Sequence, residues 1–345
     1  MDTVLLTGGA GFFGSILKRM LLSKGFRVVS IDLEEDEEVH EHLRSIRGDI
    51  CDRRLLQDIF ESEKISTVFH CAALLAHVTQ NRKKLWKANV EGTRILAEEA
   101  CRHQVEHFIF TSSNCLWGTE MGRPITETDE THPVEVYGES KLAGENILHA
   151  YKKQMQVIII RCPTILDAGR LGLLSILFEF IDEGKRIWLV GGGENVYQFI
   201  YSEDLAHACL LAAQYNQSAT FHIGSDRVRS FREVYAEIIR RAGTGARLSG
   251  IPRWIAIPLM RLAYVCHLSP LGPYQYNMIA GNFLFDTQKI KRELHWNPTC
   301  TNEEMLWKAY DYYHRHRREI EQREHVSAHK QAAKMGIIRL LKWLS

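Results

Sequence analysis

Apolar residues in the first half of this chain fall into two alternating rhythms. Short unbroken runs at Thr3–Thr7, Phe26–Ile31, Thr67–Cys71, Phe108–Thr111 and Val157–Arg161 have the length and composition of strands buried on both faces. Between them, Ser15–Ser23, Asp52–Ser62, Leu85–His103 and Val136–Lys152 space their apolar residues as amphipathic helices do. Strands alternating with helices predict an α/β fold with a doubly wound parallel sheet.

The second half is less regular. Gly191-Gly192-Gly193 follows the strand-like Ile187–Val190 and reads as a turn, not a phosphate loop. Phe199–Leu211 reads as a strand followed by a helix that rejoins the sheet. Residues 225–310 hold amphipathic helices and proline-marked turns, as expected of a smaller C-terminal lobe. Within it, Trp254–Leu268 is either a core helix around Pro258 or an apolar surface suited to a lipid-bearing substrate.

Composition narrows the class. Of 345 residues, 45% are hydrophobic and 25% charged, which excludes disordered, collagen-like and multi-span membrane chains. A net charge of +1 provides no field to gather nucleic acid. The eight cysteines are scattered, without a CxxC pair or zinc-like spacing, so reduced thiols, a cytoplasmic location and no metal site are expected. No stretch reaches the roughly 18 apolar residues of a spanning helix; Glu179 and Arg261 interrupt the two best. Residues 313–345 differ in character. Eight Lys/Arg against four Asp/Glu from Asp311 onward give a local excess of +4, and Ile337, Ile338, Leu340, Leu341 and Leu344 share one helical side. This basic amphipathic tail is expected to touch a membrane peripherally or to pack on the body or a partner subunit.

Thr7-Gly8-Gly9-Ala10-Gly11-Phe12-Phe13-Gly14 places glycines at 8, 11 and 14 between a strand and a helix. Side chains there would block a pyrophosphate from the positive end of the helix. Asp32 closes the next strand, where a carboxylate accepts hydrogen bonds from the adenosine ribose. Its charge, with Glu34–Glu38 behind it, opposes a 2′-phosphate, so the expected cofactor is NAD. Tyr137 and Lys141 stand four residues apart on a predicted helix and share a face. A phenol with an unperturbed pKa near ~10 is a poor base at neutral pH, and a nearby cation stabilises the phenolate.

Together these residues resemble the extended short-chain dehydrogenase/reductase family, which holds the NAD-dependent sugar-nucleotide epimerases and dehydratases. The resemblance runs from Thr3 to about Pro298. It implies a Rossmann domain over residues 1–165 with 199–224 returning to it, and a substrate lobe from 166–198 and 225–312. Cofactor positions carried over are Gly8, Gly11, Phe12, Phe13, Gly14, Asp32, Asp49, Ile50, Cys71, Ala72, Ala73, Asn89 and Pro163, besides Tyr137 and Lys141. Asn89-Val90-Glu91-Gly92-Thr93 fits the family's NVxGT segment. Phe110-Thr111-Ser112-Ser113 fits the strand carrying the catalytic hydroxyl, selecting Ser113. The resemblance implies that Tyr137 removes a proton from a substrate hydroxyl, Ser113 hydrogen-bonds the same oxygen, and Lys141 favours the phenolate. It also implies a homodimer.

The chain departs from the pattern in places that bear on substrate. The Asp-Glu pair of the family's 4,6-dehydratases is replaced by Asn114 and Cys115, which speaks against dehydration. Positions where epimerases clamp a diphosphate hold Tyr197, about Tyr276, and Thr164, with Arg170, Arg227 or Arg229 as available substitutes. The leading expectation is C4 epimerisation of a sugar on a nucleotide or polyprenyl diphosphate. The alternative is NAD-dependent oxidation of a sterol-like or other lipid alcohol, as in the 3β-hydroxysteroid dehydrogenases. A minor third is a non-catalytic nucleotide-binding regulator, disfavoured because Ser113, Tyr137 and Lys141 are all present.

Overall fold

The apolar runs pair into one wholly parallel sheet of seven strands. The computed structural model describes residues 2–36, 38–75, 81–269 and 271–321. The first elements are β1 (Thr3–Thr7), α1 (Phe12–Ser23), β2 (Arg27–Asp32), β3 (Leu43–Arg47), α2 (Arg53–Ser62) and β4 (Ile65–His70). They are followed by α3 (Arg82–Trp86), α4 (Gly92–Arg102), β5 (His107–Ser113), α5 (Val136–His149) and β6 (Gln156–Cys162). Then come β7 (Thr164–Leu166), α6 (Leu174–Asp182), β8 (Arg186–Val190), β9 (Phe199–Tyr201), α7 (Ser202–Ala212) and β10 (Ala219–His222). The chain continues with α8 (Phe231–Ala242), β11 (Arg247–Ile251), α9 (Arg253–Val265), α10 (Pro273–Ala280), α11 (Gln288–Leu294) and α12 (Asn302–Glu321).

Strand order is β10-β6-β5-β4-β1-β2-β3. Val4–Leu6 and Val157–Ile160 are wholly buried, because helices cover both faces. The order reverses between β1 and β4, and the crevice beyond their carboxyl ends is where such sheets bind ligands. Both the glycine turn after β1 and the Cys71–Ala73 loop after β4 lie there.

Four local expectations change. The strand at Phe199 does not join the large sheet; β9 pairs in parallel with β7, and β10 completes the sheet beside β6. The Leu85–His103 helix is interrupted by a π-helical turn at Lys87–Glu91, whose extra residue turns Asn89 inward. The helix around Pro258 is not a core element: Ala256 is the single buried residue of α9. Residues 313–321 extend α12 instead of starting a separate tail. Tyr313 and Ile320 are buried, and Arg317 pairs with Asp182 and Glu183 of the α6 end. The remainder of that predicted tail, 322–345, lies outside the described residues.

Three large apolar clusters divide the labour. Two flank the sheet, one centred on Leu17, Phe69 and Ile160, the other on Leu56, Leu96 and Phe108. The third is aromatic, with Phe178, Tyr197, Phe231, Phe283 and Tyr310, and gathers α6, α8, α12 and the short β8/β11 sheet. It takes in Leu116 and Trp117 just after β5 and Leu166 in β7, which follows β6.

Candidate active site

The glycine turn is shaped by close backbone approach. Gly8 has φ 78°, and a Cβ there would lie 2.8 Å from the Ala72 nitrogen. A Cβ on Gly14 would come within 1.9 Å of the Gly8 carbonyl oxygen, so α1 can start against the turn only as glycine. Gly11 occupies the N-cap of α1 without a capping side chain, leaving the helix end suited to an anion. Phe12 and Phe13 follow it and are buried.

Asp32 is aimed at this turn. Its carboxylate accepts from the Ala10 nitrogen at 3.0 Å and the Glu34 nitrogen at 3.1 Å. The acidic loop behind it is less negative than its sequence suggests. Lys18 of α1 is buried and pairs with Asp36 at 2.6 Å and Glu38 at 3.0 Å. The charge left to oppose a 2′-phosphate is mainly that of Asp32, Glu34 and Glu35. Asp49 accepts from the Cys51 nitrogen at 2.9 Å, and Ile50 is buried where a Cβ on Gly92 would collide with it. A dinucleotide therefore fits the residues present: a cradle that any Cβ would fill, a helix end for the pyrophosphate, and a carboxylate at the ribose position.

A hydrogen-bond chain fixes the far wall of the crevice. His70 Nδ1 meets Thr7 Oγ1 at 2.7 Å and His70 Nε2 meets Thr93 Oγ1 at 2.8 Å. Thr93 gives its own hydroxyl proton to the Asn89 carbonyl at 2.7 Å, so the imidazole proton resides on Nε2 and Thr7 donates to Nδ1. Burial draws His70 down to about 3, keeping it neutral. Thr7 Oγ1 also accepts from Ala72 at 3.2 Å, which sets the Cys71–Ala72–Ala73 loop. Asn89 spends its amide on the Leu74 nitrogen (2.7 Å), the Leu74 carbonyl (2.9 Å) and Ser140 Oγ (3.0 Å). It thus joins that loop to α5 with both amide protons in use, while its Oδ1 accepts one bond and keeps a second acceptor site.

Ser113 ends β5 and accepts from the Cys115 nitrogen at 3.1 Å. Tyr137 lies in the first turn of α5, which approaches the 114–116 turn closely because a Cβ on Gly138 would sit 2.3 Å from the Cys115 carbonyl. Lys141 is buried one turn on, donates to the Thr111 carbonyl at 2.8 Å, and lies 4.6 Å from the Phe110 ring centre. Burial lowers its pKa to about 8. Burial also pushes the Tyr137 phenol well above its ordinary value, while the Arg170 guanidinium pulls the other way. Cys71, Cys115 and Cys162 surround these groups with thiols pushed up by burial to about 11, 12 and 12, so they stay protonated. Pro163 is buried directly after Cys162. Beneath the site, Glu145 of α5 accepts from Ser112 Oγ at 2.5 Å and forms a two-point pair with Arg161 at 2.7 and 3.0 Å.

The substrate side is uncharged where the family pattern places arginine. Tyr197 OH meets Asn114 Nδ2 at 3.1 Å, Thr164 Oγ1 at 3.1 Å and Tyr274 OH at 3.2 Å, and Tyr274 donates to Asn114 Oδ1 at 3.0 Å. Asn114 is therefore held by two phenols. Of the arginines that sequence left unplaced, Arg229 is committed to Glu233 and Glu303. Arg170 instead enters the site, its guanidinium 5.9 Å from the Phe12 ring and under the influence of both Tyr137 and Tyr197. Its Nε is buried and has no hydrogen-bond partner among the described residues. Burial lowers Arg170 to about 10. Two groups were not foreseen: Lys18, which reads as an ordinary helix lysine, and Glu135 at the N-cap of α5, which burial pushes up to about 7.

The family model for the NAD-dependent epimerase/dehydratase family matches residues 4–224. The chain belongs to that family and is an NAD-dependent enzyme of the extended short-chain dehydrogenase/reductase type. It is 35% identical over 99% of its length to the protein y4nG of Sinorhizobium fredii, covering 86% of that protein. It is 30% identical to a UDP-glucose 4-epimerase of Halalkalibacterium halodurans, over 67% of this chain and 78% of the relative. A sterol-4-alpha-carboxylate 3-dehydrogenase (decarboxylating) of Mus musculus is 27% identical over 90% of this chain and 91% of the relative. Among solved structures, UDP-glucose 4-epimerase of Thermotoga maritima with UDP-glucose superposes with a TM-score of 0.75 at 23% identity, covering 91% of this chain and 99% of the other.

Proposed function

We propose that this enzyme epimerises C4 of a sugar carried on a diphosphate, the carrier being a nucleotide or a polyprenyl lipid. The observation that carries the reading is Arg170: a half-buried side chain beside the Phe12 ring, within electrostatic reach of Tyr137, whose buried Nε has no hydrogen-bond partner among the described residues, suits an anionic group on the substrate. In this reading Tyr137 takes the proton from the sugar 4-hydroxyl, Ser113 hydrogen-bonds that oxygen, and Lys141 lends its charge to the phenolate. Bound NAD would supply the hydride acceptor. Gly8, Gly11, Gly14 and Asp32 would hold its pyrophosphate and ribose, with Phe12, Phe13, Asp49, Ile50, Cys71, Ala72, Ala73 and Pro163 lining the cleft. Residues 1–165 with 199–224 would form the cofactor domain, and 166–198 with 225–312 the substrate lobe. The separate aromatic cluster supports that division. The reading retains a homodimer, on family resemblance.

One observation favours lipid-alcohol oxidation as a second reading. The Tyr197–Asn114–Tyr274 network replaces a charged clamp with neutral hydroxyls, and the mouse sterol dehydrogenase aligns over nearly the whole chain. The two are separated by incubating the enzyme with UDP-galactose and with polyprenyl-diphosphate galactose deuterated at C4. Epimerisation interconverts the sugars with the deuterium retained at C4. Net reduction of added NAD by a sterol or other lipid alcohol, with neither sugar turned over, would reject the epimerase reading.

A further inference from the structure

Helix α9 (Arg253–Val265) carries its apolar side outward. Ala256 is buried, and Ile257 and Met260 pack with it against Val190 and Ala280. The opposite side presents Trp254, Pro258, Leu262 and Val265, spaced by four, four and three residues and hence in one stripe. Trp254 is 78% exposed, Leu262 61% and Val265 71%; Leu259 at 60% and Leu268 at 51% widen the stripe. Scattered exposed apolar residues are ordinary, but a continuous stripe of this kind marks a surface that meets something apolar.

Charge selects the partner. No Asp or Glu occurs between Glu237 and Asp286, whereas Arg253 and Arg261 lie on this helix. The acids that approach from other elements are Glu120, 3.4 Å from Arg253, and Glu135, near Gly272. A twofold contact with a second copy would set this patch against itself, arginine facing arginine. Residues 322–345 are themselves basic, with Glu324 as their single acid. Both would place like charges together, while an anionic lipid surface complements the patch. Among the described residues no helix is long and apolar enough to cross a membrane, so contact through α9 lies in the interface.

We propose that the outward face of α9 docks on an anionic bilayer, with Trp254, Leu262 and Val265 entering the interface and Arg253 and Arg261 meeting lipid phosphates. The helix rests against α10, whose Tyr274 donates to Asn114, the neighbour of Ser113. Docking thus brings the substrate side of the site to the membrane, whichever substrate it takes.

The test uses the full chain and vesicles of phosphatidylcholine with or without a quarter of phosphatidylglycerol. Wild type should bind the anionic vesicles at least about tenfold more tightly, and the double variant Leu262→Glu/Val265→Glu should lose about tenfold or more of that affinity. The variant should keep its NAD affinity and its sedimentation coefficient. Trp254→Ala, a milder change, should weaken vesicle binding in the same direction. Failure of wild type to bind, or equal binding by the double variant, overturns the proposal. So does conversion of a dimer to a monomer by the double variant, which would make α9 a contact between copies.

Discussion

Lys141 gives its ammonium to the main-chain carbonyl of Thr111 at 2.8 Å, and its burial lowers its pKa to about 8. A lysine with a folded pKa below its unfolded value of 10.5 burdens the native state at low pH. Between about 8 and 10.5 the unfolded chain binds more protons, so this contribution to stability rises with pH. Urea unfolding of cofactor-free protein from pH 7 to 10.5 should show that rise. Lys141→Met should remove it, by up to roughly 3 kcal/mol. An identical pH slope in the variant would place Lys141 in a wetter setting.

Loss of the phenol should be more damaging to turnover than loss of the serine hydroxyl. Tyr137→Phe is expected to lower kcat by about 10³-fold or more, and Ser113→Ala by about 10–100-fold. Titration with NAD alongside kcat and KM separates chemistry from binding.

Arg170→Met tests the anionic group assigned to the substrate. The expected result is a KM raised at least about tenfold with unaltered NAD affinity. If NAD affinity falls instead and KM for substrate stays, Arg170 serves the cofactor.

Glu145 and Arg161 form a buried pair at 2.7 Å below the site. Glu145→Ala leaves Arg161 charged and uncompensated and should cost about 3–5 kcal/mol of stability. Replacing both residues by apolar ones should restore part of it. Denaturant midpoints of the single and double variants give the comparison.

Much of this site could be read from the sequence because its parts are local. The glycine spacing fixes a turn, Asp32 ends a strand, and Tyr137 and Lys141 share a helical face by periodicity alone. What the sequence concealed depends on distant contacts. β3, Leu-Arg-Ser-Ile-Arg, has no apolar run to mark it, because an edge strand can expose charges. β10 is four residues long, too short for a period to register. Nothing near Lys18 announces that Asp36 and Glu38 fold back onto it. Nor does Asn89 reveal that its amide is used on Leu74 and Ser140, since the π-helical turn that aims it has no sequence signature. Trp254–Leu268 shows helical apolar spacing, but spacing cannot say which side faces the protein.

An epimerase returns its substrate epimerised and so regenerates its cofactor in place. The most direct measurement is the NAD content of protein purified without added cofactor, released by denaturation and quantified by chromatography. Close to one NAD per chain is the expected result. Empty protein that binds added NAD reversibly would contradict it and favour a dehydrogenase that exchanges cofactor at every turnover.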